Sequence, residues 1–285
     1  FRDRVAMTAS NLVLIIDAQK DFCDIPASVS GVTGEMVYPA LPVMGAHADM
    51  RRLGAWLEGN AARIDDIVLT MDSHQYYDIA HPTFWRTARG GEVAPFTPIP
   101  AADMRAGRFR PADPALHERA QAYLDELEAR GRYTHMVWPV HCEIGSWGHG
   151  LHPVVLESVQ HWQQQRSRAV TTVFKGMHPL TEHYSALRAE VPDPADPASQ
   201  LNTALVGRIA DAGGQVVVAG EASTHCVAAT MRDLFEVLPK EHLARFVLLT
   251  DCMSPVANFE AAHLAFLEEA ALHGVRLETS RNFGL

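Results

Sequence analysis

The sequence predicts an α/β fold, in which a doubly wound, mainly parallel sheet of six strands carries helices on both faces. Short apolar runs rich in β-branched residues alternate along the chain with segments whose apolar residues recur at helical spacing. The runs are almost continuously apolar, as parallel strands buried on both faces require. Strand alternating with helix indicates βαβ units, and therefore a Rossmann-like sandwich of three layers.

Each element of this prediction comes from a defined segment. The strands are predicted over residues 11–17, 64–72, 169–175, 214–220, 245–251 and 274–280. The helices are predicted over residues 45–60, 115–130, 200–212, 223–237 and 257–273. Two stretches interrupt the alternation, residues 86–114, which are rich in Pro, Gly and Ala, and the Pro/Asp segment 190–199. Both are predicted to be excursions over the surface, of the kind that often serve as lids.

Length and composition narrow the class of protein. The chain has 285 residues, of which 47% are apolar and 20% charged, typical of a globular protein. We expect one domain over residues 8–285, with an inserted loop and helix region at about 86–135. A formal net charge of -10 without a Lys/Arg-rich run argues against a nucleic-acid partner. No apolar run approaches the roughly 20 residues that cross a bilayer, so a small-molecule ligand is expected and a membrane partner is not.

The four cysteines indicate a reducing compartment. They include no C-x-x-C pair, and four cysteines in a chain of this length do not suggest a disulfide scaffold. Free thiols, and with them a cytoplasmic location, are therefore expected.

Reactive side chains follow four predicted strands at their carboxyl ends, where doubly wound sheets bind ligands. Asp17 ends the first strand, Asp72 ends the second with His74 two residues on, and Lys175 ends the third. The fourth strand runs into the sequence GEASTHC, which places Cys226 at the start of the next helix. A carboxylate, a pair of metal-binding groups, an amine and a thiol are thus predicted to meet at one edge.

Cys226 is the candidate nucleophile. A helix N-terminus lowers the pKa of a thiol, although a free cysteine taken alone is more often a small buried hydrophobe. Asp17 either caps a turn or acts as the general base for the thiol, and Lys175 either reaches water or stabilises negative charge beside it. The other cysteines have weaker contexts and are predicted to be structural: Cys23, Cys142 and Cys252.

Asp72 and His74 form a D-x-H pair whose side chains can bind one metal ion. His141, in the sequence WPVHC, completes a set of three ligands that leaves positions open for water or substrate. His81 is either a further ligand or a neighbour of the ligands. Surface positions are the alternative reading for these histidines, since the chain has fifteen. Such ligands suit one divalent ion, with zinc expected first and iron or manganese as alternatives.

Five motifs occur in an order that resembles the isochorismatase-like cysteine hydrolases, and among them the nicotinamidase-like branch. In sequence order they are LIIDAQKDFC, TMDSHQYYDIAHPTFW, WPVHCEIGSWG, VFKGMHPLTEHYSA and VVVAGEASTHCVAAT. The resemblance spans residues 11–280. The Asp-Lys-Cys order is specific to the superfamily, and the D-x-H pair together with W-P-x-H-C is specific to the metal-containing branch.

The resemblance implies roles for individual residues. Asp17, Lys175 and Cys226 would form the catalytic triad, and Asp72, His74 and His141 would hold the metal ion that binds the pyridine nitrogen of the substrate. Phe22 and Trp138 would form the aromatic walls of the substrate pocket. The backbone N–H groups of Ala222 and Cys226 would form the oxyanion hole. A cis peptide bond is implied before Ala222.

The implied reaction is the hydrolysis of nicotinamide to nicotinate and ammonia through a thioester on Cys226, a step of NAD metabolism, by an enzyme that assembles as a homo-oligomer. The chain departs from the family pattern in its long segment before WPVHC, in HPLTEHYSA, and at Glu221, where an aliphatic residue is common. Three alternatives stay open. They are an amidohydrolase for another heteroaromatic, N-carbamoyl or ureido amide, a non-enzymatic binding protein on the same fold, and an isochorismatase, against which Cys226 and the D-x-H pair count.

Overall fold

Strands and helices alternate along the chain in the computed structural model, which describes residues 10–31 and 33–285. The strands are β1 (Leu12–Ile16), β2 (Ser28–Val29), β3 (Met36–Val37), β4 (Asp66–Asp72), β5 (Trp85–Thr87), β6 (Thr97–Pro98), β7 (Phe109–Pro111), β8 (Met136–Val137), β9 (Thr171–Lys175), β10 (Val216–Gly220), β11 (Phe246–Leu249) and β12 (Arg276–Glu278). The α-helices are α1 (Ala46–Asn60), α2 (Ala101–Arg105), α3 (His117–Arg130), α4 (Pro153–Arg166), α5 (Thr203–Ala210), α6 (Ala228–Val237), α7 (Lys240–Leu243) and α8 (Glu260–Leu272). A π-helical turn, Ser223–Val227, leads directly into α6.

The central sheet has six parallel strands in the order β12-β11-β10-β1-β4-β9. Each of the six predicted strands is present, and the predicted fold class is confirmed. The chain leaves β1 towards β4 and β9 on one side, then returns to β10, β11 and β12 on the other. This reversal makes a topological switch point between β1 and β10, where the loops after the two strands diverge and leave a crevice.

Apolar side chains of alternate residues in each strand bury the two faces of the sheet in separate cores. On one face, Val13 and Ile15 of β1 pack with α1 and α4 through Leu53 and Trp162. On the other face, residues of β1 and β10 pack with α5, α6 and α8: Leu14, Val218, Ile209, Leu234 and Phe266. The inner strands β1, β10 and β11 are therefore buried on both sides, as their continuous apolar runs predict, whereas the edge strands β9 and β12 are partly exposed.

Residues 79–137 form a third apolar cluster beside the sheet. Here β5 pairs with β7, and β6 with β8, both antiparallel. Ile99 and Met104 are buried with Tyr123 and Leu124 of α3. The prediction that residues 86–114 are a surface excursion is wrong, because this segment contributes short strands, a helix and buried apolar side chains to a packed core. The predicted domain bounds stay a prediction, and their first residues, 8–9, lie outside the described part.

The five predicted helical segments are present, the one at 223–237 as the π-helical turn followed by α6. Helix α4, over Pro153–Arg166, is not among the predicted helices. Its first residue is a proline, and the preceding His152 caps it by accepting the backbone N–H of Val154 through Nδ1 at 3.3 Å. The segment 190–199 is a loop with one 3-10 turn, Pro197–Ser199. Among the described residues, no helix combines the length and apolar character needed to cross a membrane.

Candidate active site

Asp17 lies at the switch point, directly after β1, and its backbone has the left-handed conformation with φ of 45°. Its backbone N–H donates to the carbonyl oxygen of Thr70 in β4 at 3.2 Å. The Thr70 hydroxyl donates to Oδ1 of Asp17 at 2.6 Å. These bonds hold a fully buried carboxyl group in one orientation, with Oδ2 left to face the other reactive groups.

Lys175 ends the edge strand β9, and its side chain passes below β4 to reach Asp17. Although the residue is only 2% exposed, its ammonium group has a full set of partners. Nζ lies 2.9 Å from Oδ2 of Asp17 and 3.0 Å from Oδ1 of Asp72, and it donates to the His183 carbonyl oxygen at 2.9 Å. Nζ also lies 3.6 Å from Sγ of Cys226. Lys175 therefore contacts a base candidate, a metal-ligand candidate and the thiol.

Cys226 is held by the π-helical turn that follows β10. The strand ends in Gly220, whose φ is 134°, and a Cβ atom there would lie 1.9 Å from the Ile16 carbonyl oxygen. Only glycine allows β10 to end so close to β1. The peptide bond between Glu221 and Ala222 is cis, which confirms the cis bond that the resemblance implies before Ala222. Ala222 and Cys226 both line the pocket described below.

The protonation states of the three groups follow from burial and mutual contact. Burial raises the pKa of the Cys226 thiol well above its usual value, and the positive charge of Lys175 opposes this only in part. The expectation of a lowered thiol pKa is therefore wrong for the resting site. Burial also raises the pKa of Asp17, against the opposing effect of Lys175. Burial alone would lower the pKa of Lys175, but the Asp17 and Asp72 carboxylates raise it well above its usual value.

The residues predicted to bind metal meet at the carboxyl end of β4. His74, His81 and His141 are buried, and one potential ligand atom of each lies within 4.8 Å of the other two. Oδ2 of Asp72 lies 3.1 Å from Nε2 of His74 and 3.5 Å from Nε2 of His141. The structure thus brings all four candidates together, including His81. Nε2 of His81 also accepts the backbone N–H of His141, at 3.4 Å.

The surroundings of the histidines fit a divalent metal ion. Each imidazole uses Nδ1 for an oxygen outside the cluster: His74 for Asp78 (3.1 Å), His81 for the Gln75 carbonyl (3.1 Å) and His141 for the Pro139 carbonyl (2.8 Å). Such outer contacts orient metal-binding histidines and leave Nε2 to face the ion. Burial alone would lower the pKa of His74, but the Asp72 and Asp78 carboxylates raise it well above its usual value. The site therefore favours a cation, and the N and O donors suit zinc, iron or manganese.

A narrow pocket joins the thiol to the residues predicted to bind metal. Cys226 and Ala222 lie on its wall together with Asp72 and His141. Phe22 and Trp138, the predicted aromatic walls, also line it, as do residues that sequence reasoning did not single out: Leu41, Val43, Tyr184, His225 and Val256. Apolar and aromatic walls with a few polar groups are typical of sites for small flat ligands.

Tyr184 and His225 complete the aromatic part of this pocket. The indole N–H of Trp138 donates to the Tyr184 hydroxyl at 2.9 Å. The His225 ring makes edge contacts with both residues, with centroids 5.3 Å and 5.2 Å away. The one sequence signal that could have identified His225 is its position directly before Cys226. Tyr184 has no such signal, because it comes from the loop after β9. Thr70, which holds Asp17, was likewise not singled out.

Comparisons with known proteins agree with this architecture. No family model and no curated protein matches the sequence. Solved structures do match, among them a nicotinamidase and pyrazinamidase of Acinetobacter baumannii (TM-score 0.59, 19% identity, 96% of this chain and 98% of that chain covered). The yeast nicotinamidase bound to the inhibitor nicotinaldehyde matches with a TM-score of 0.59 and 19% identity, covering 94% of this chain and 99% of that one.

A pyrazinamidase of Pyrococcus horikoshii in complex with zinc is similar at a TM-score of 0.51 and 16% identity, with 95% of this chain and 99% of that chain covered. At such identities the likeness establishes the fold, and it does so over nearly the whole length of both chains. The fold that the sequence resemblance implies is therefore confirmed. The chemistry is argued from the site itself.

Proposed function

We propose that this chain is a metal-assisted cysteine amidohydrolase, and that its substrate is nicotinamide. The observation that carries the proposal is the continuous contact of Cys226, Lys175 and Asp17, with separations of 3.6 Å and 2.9 Å, on a pocket whose other wall holds the metal-binding residues. A binding role needs no buried thiol, amine and carboxylate in contact. The solved structures of similar fold include nicotinamidases, which favours this amide.

The reaction begins with proton transfer from the Cys226 thiol to Asp17, whose raised pKa suits it as a base. The thiolate then attacks the carboxamide carbon, and the oxyanion forms against the backbone N–H groups of Ala222 and Cys226. One such donor is typically worth about 2.7–4 kcal/mol of barrier. Asp17 returns its proton to the leaving ammonia, and the acyl group stays on sulfur as a thioester.

The second half of the reaction uses the same groups. Asp17 takes a proton from a water molecule that attacks the thioester, and the carboxylic acid leaves as the thiol is restored. Lys175 stays charged throughout and stabilises the negative charge that moves between Asp17 and Cys226. When bound, a metal ion held by Asp72 and the three histidines supplies a Lewis acid for the ring nitrogen of a heteroaromatic substrate. We propose zinc as this ion, as in the P. horikoshii structure.

Cys226→Ala is expected to abolish ammonia release from nicotinamide, with a loss of at least about 10³-fold in kcat, because no other group can form the thioester. The measurement is ammonia production by the purified protein. Cys252→Ala is the matched control, since Cys252 is also a buried free thiol but does not line the pocket. If Cys226→Ala kept most of its turnover, the nucleophilic scheme would be wrong.

A panel of amides separates the proposed substrate from its alternatives. Nicotinamide and pyrazinamide carry a ring nitrogen, benzamide does not, and N-carbamoyl and ureido amides lack the aromatic ring. We expect the first two to be turned over fastest, because the pocket combines aromatic walls with the metal-binding residues. A thiol probe that labelled all four cysteines equally would favour the non-enzymatic alternative, since Cys226 alone among them lines the pocket.

The proposal also includes a cytoplasmic location and assembly with further copies of the chain. All four cysteines are free thiols, which fits a reducing compartment. The expected partners are thus a small-molecule amide and other copies of the chain.

A further inference from the structure

Glu221 is a buried acid directly beside the reactive residues, and the proposed reaction does not use it. It stands between Gly220 and Ala222 and is fully buried. Its backbone N–H donates to the Ile16 carbonyl oxygen at 2.9 Å, so its position is fixed from the β1 side. An ionised carboxyl group without a partner would be costly here. The side-chain contacts of Glu221 therefore identify the groups that stabilise its buried carboxyl group.

Ser254 connects the side chain of Glu221 to that of Asp49. The backbone N–H of Ser254 donates to Oε2 of Glu221 at 3.1 Å, and its hydroxyl donates to Oδ2 of Asp49 at 2.5 Å. Asp49 lies on α1, is buried, and forms an ion pair with Arg52 one turn on. Two buried carboxyl groups from different elements are thus held on one serine.

The two carboxyl groups lie in one buried cluster around Ser254, where two adjacent negative charges would repel each other, so a proton on one of them is favoured. Asp49 already accepts from Ser254 and pairs with Arg52, whereas Oε1 of Glu221 has no donor among the described residues. The proton therefore resides on Glu221. Burial and the nearby charge of Asp49 raise the pKa of Glu221 well above its usual value, in the same direction.

This cluster is joined to the turn that carries the nucleophile. The backbone N–H of Ser223 donates to the Ser254 carbonyl oxygen at 2.9 Å. Two residues further on, the backbone N–H of Val256 donates to the Thr224 hydroxyl at 3.3 Å, and Val256 lines the pocket. The loop after β11 and the turn after β10 are therefore fixed to each other at Ser254 and again at Val256.

We propose that Glu221 is a positioning residue, which as a neutral carboxylic acid held by Ser254 beside Asp49 keeps the Ala222 and Cys226 N–H groups where the oxyanion forms. The inference rests on the function proposed above. An aliphatic side chain at this position would fill the space but would leave the Ser254 N–H without its acceptor, and would leave Asp49 with Ser254 and Arg52 alone as its partners. An amide would satisfy both, since it accepts through oxygen and donates through nitrogen.

The test compares Glu221→Gln with Glu221→Leu. Glu221→Gln should keep kcat for ammonia release within about threefold of the unmodified chain. Glu221→Leu should lower kcat about 10²-fold, the order of one oxyanion donor, while KM stays within about threefold. Glu190→Leu is the matched control, because Glu190 is also a buried acid but lies outside the pocket and the cluster. It should keep kcat. If Glu221→Leu does not fold, Ser254→Ala replaces it, with kcat expected to fall at least about fivefold because the bond to Asp49 is lost.

Two results would overturn the inference: unchanged kcat in Glu221→Leu, or a loss in Glu221→Gln as large as in Glu221→Leu. Failure of the proposed function is recognised separately, because the unmodified chain would then release ammonia from no amide of the panel. In that case, the positioning role of Glu221 is tested by the rate at which iodoacetamide labels Cys226. A rate changed at least about fivefold in Glu221→Leu and restored in Glu221→Gln supports the positioning role, and equal rates in all three proteins contradict it.

Discussion

Lys175 shows how a single side chain links the parts of the site. Its charge is far from water, and only the nearby carboxylates of Asp17 and Asp72 make the ammonium form favourable. A methionine at this position would leave two buried carboxylates in proximity without a cation. The lysine therefore favours the ionised form of both carboxylates, together with His74 in the case of Asp72, in addition to its contact with the thiol.

His135 provides a prediction of pH-dependent stability. It is fully buried near the Tyr123 hydroxyl, at 3.3 Å from Nδ1, and burial lowers its pKa to about 4 from 6.5. At pH values between about 4 and about 6.5, His135 binds a proton in the unfolded chain but not in the folded chain. The stability of the folded chain therefore falls as pH falls through this range. By linkage, this histidine should make the free energy of unfolding roughly 2 kcal/mol lower at pH 5 than at pH 7.

The measurement is urea unfolding at pH 7 and pH 5 with EDTA present, so that metal release does not contribute. His135→Gln should show a smaller difference between the two pH values than the unmodified chain. Part of the difference should remain, because His225 and His183 are also buried with lowered pKa values. An equal difference in both proteins would contradict the assignment.

At this scale the sequence predicted His141 and the residues at the carboxyl ends of strands, and the resemblance added Phe22 and Trp138, but some residues that reach the pocket from loops were missed. Asp17, Lys175 and Cys226 could be predicted because the carboxyl ends of parallel strands meet at one edge. Tyr184 could not, since it reaches the pocket from a loop whose path depends on packing against Trp138. The raised pKa of Cys226 was also missed, because the sequence indicates a helix start but not the depth of burial.

At the scale of the strands and helices, Gly220 at the end of β10 is the position where the residue type is most constrained. Gly220→Ala should destabilise the protein by at least about 3 kcal/mol or prevent folding, because its Cβ would overlap the Ile16 carbonyl oxygen and its φ of 134° is unfavourable for alanine. Thermal and urea unfolding measure this loss. Gly207→Ala in α5 is the control, since a Cβ there meets no atom within 4 Å. It should stabilise by about 0.5–1 kcal/mol. Similar stability of the two variants would contradict the close approach of β10 to β1.

The elements themselves were largely predictable, with α4 as the exception. The central strands β1, β10 and β11 are apolar along their whole length, so their pattern does not depend on neighbours. Helix α4 has an apolar face of Val155, Val159 and Trp162, but polar residues lie between them and a run of three glutamines follows at 163–165. Strands β5 to β8 have two or three residues each, and their pairing partners are distant in sequence, so no local pattern marks them.

At the scale of the whole molecule, a bound metal ion would join the central sheet to the third apolar cluster. Asp72 ends β4 and His74 follows it, whereas His81 lies within residues 79–137, which form the cluster, and His141 follows them closely. An ion that binds only the folded chain stabilises it by about 2.7 kcal/mol at a concentration of 100 Kd. For a protein of this size that corresponds to an increase in Tm of roughly 5–10 °C.

Metal analysis should therefore find about one divalent ion per chain, and EDTA should lower both Tm and ammonia release. His74→Ala should lose the ion and the response to EDTA, whereas the exposed His161→Ala should keep both. Full activity of metal-free protein would contradict the assigned role of the ion. The sequence predicted the ligands, but it could not predict that they connect two packed regions, because residues 86–114 gave no sign of a core.

Asp72 has a consequence for any attempt to redesign this site. Its Oδ1 lies 3.0 Å from Lys175 and its Oδ2 lies 3.1 Å from His74, so one carboxylate serves two sets of partners. A change of ligand at this position would alter the choice of ion and the electrostatic field at the thiol in the same step. Under the proposed function, an engineer who wants a different metal would therefore have to re-optimise the nucleophile as well.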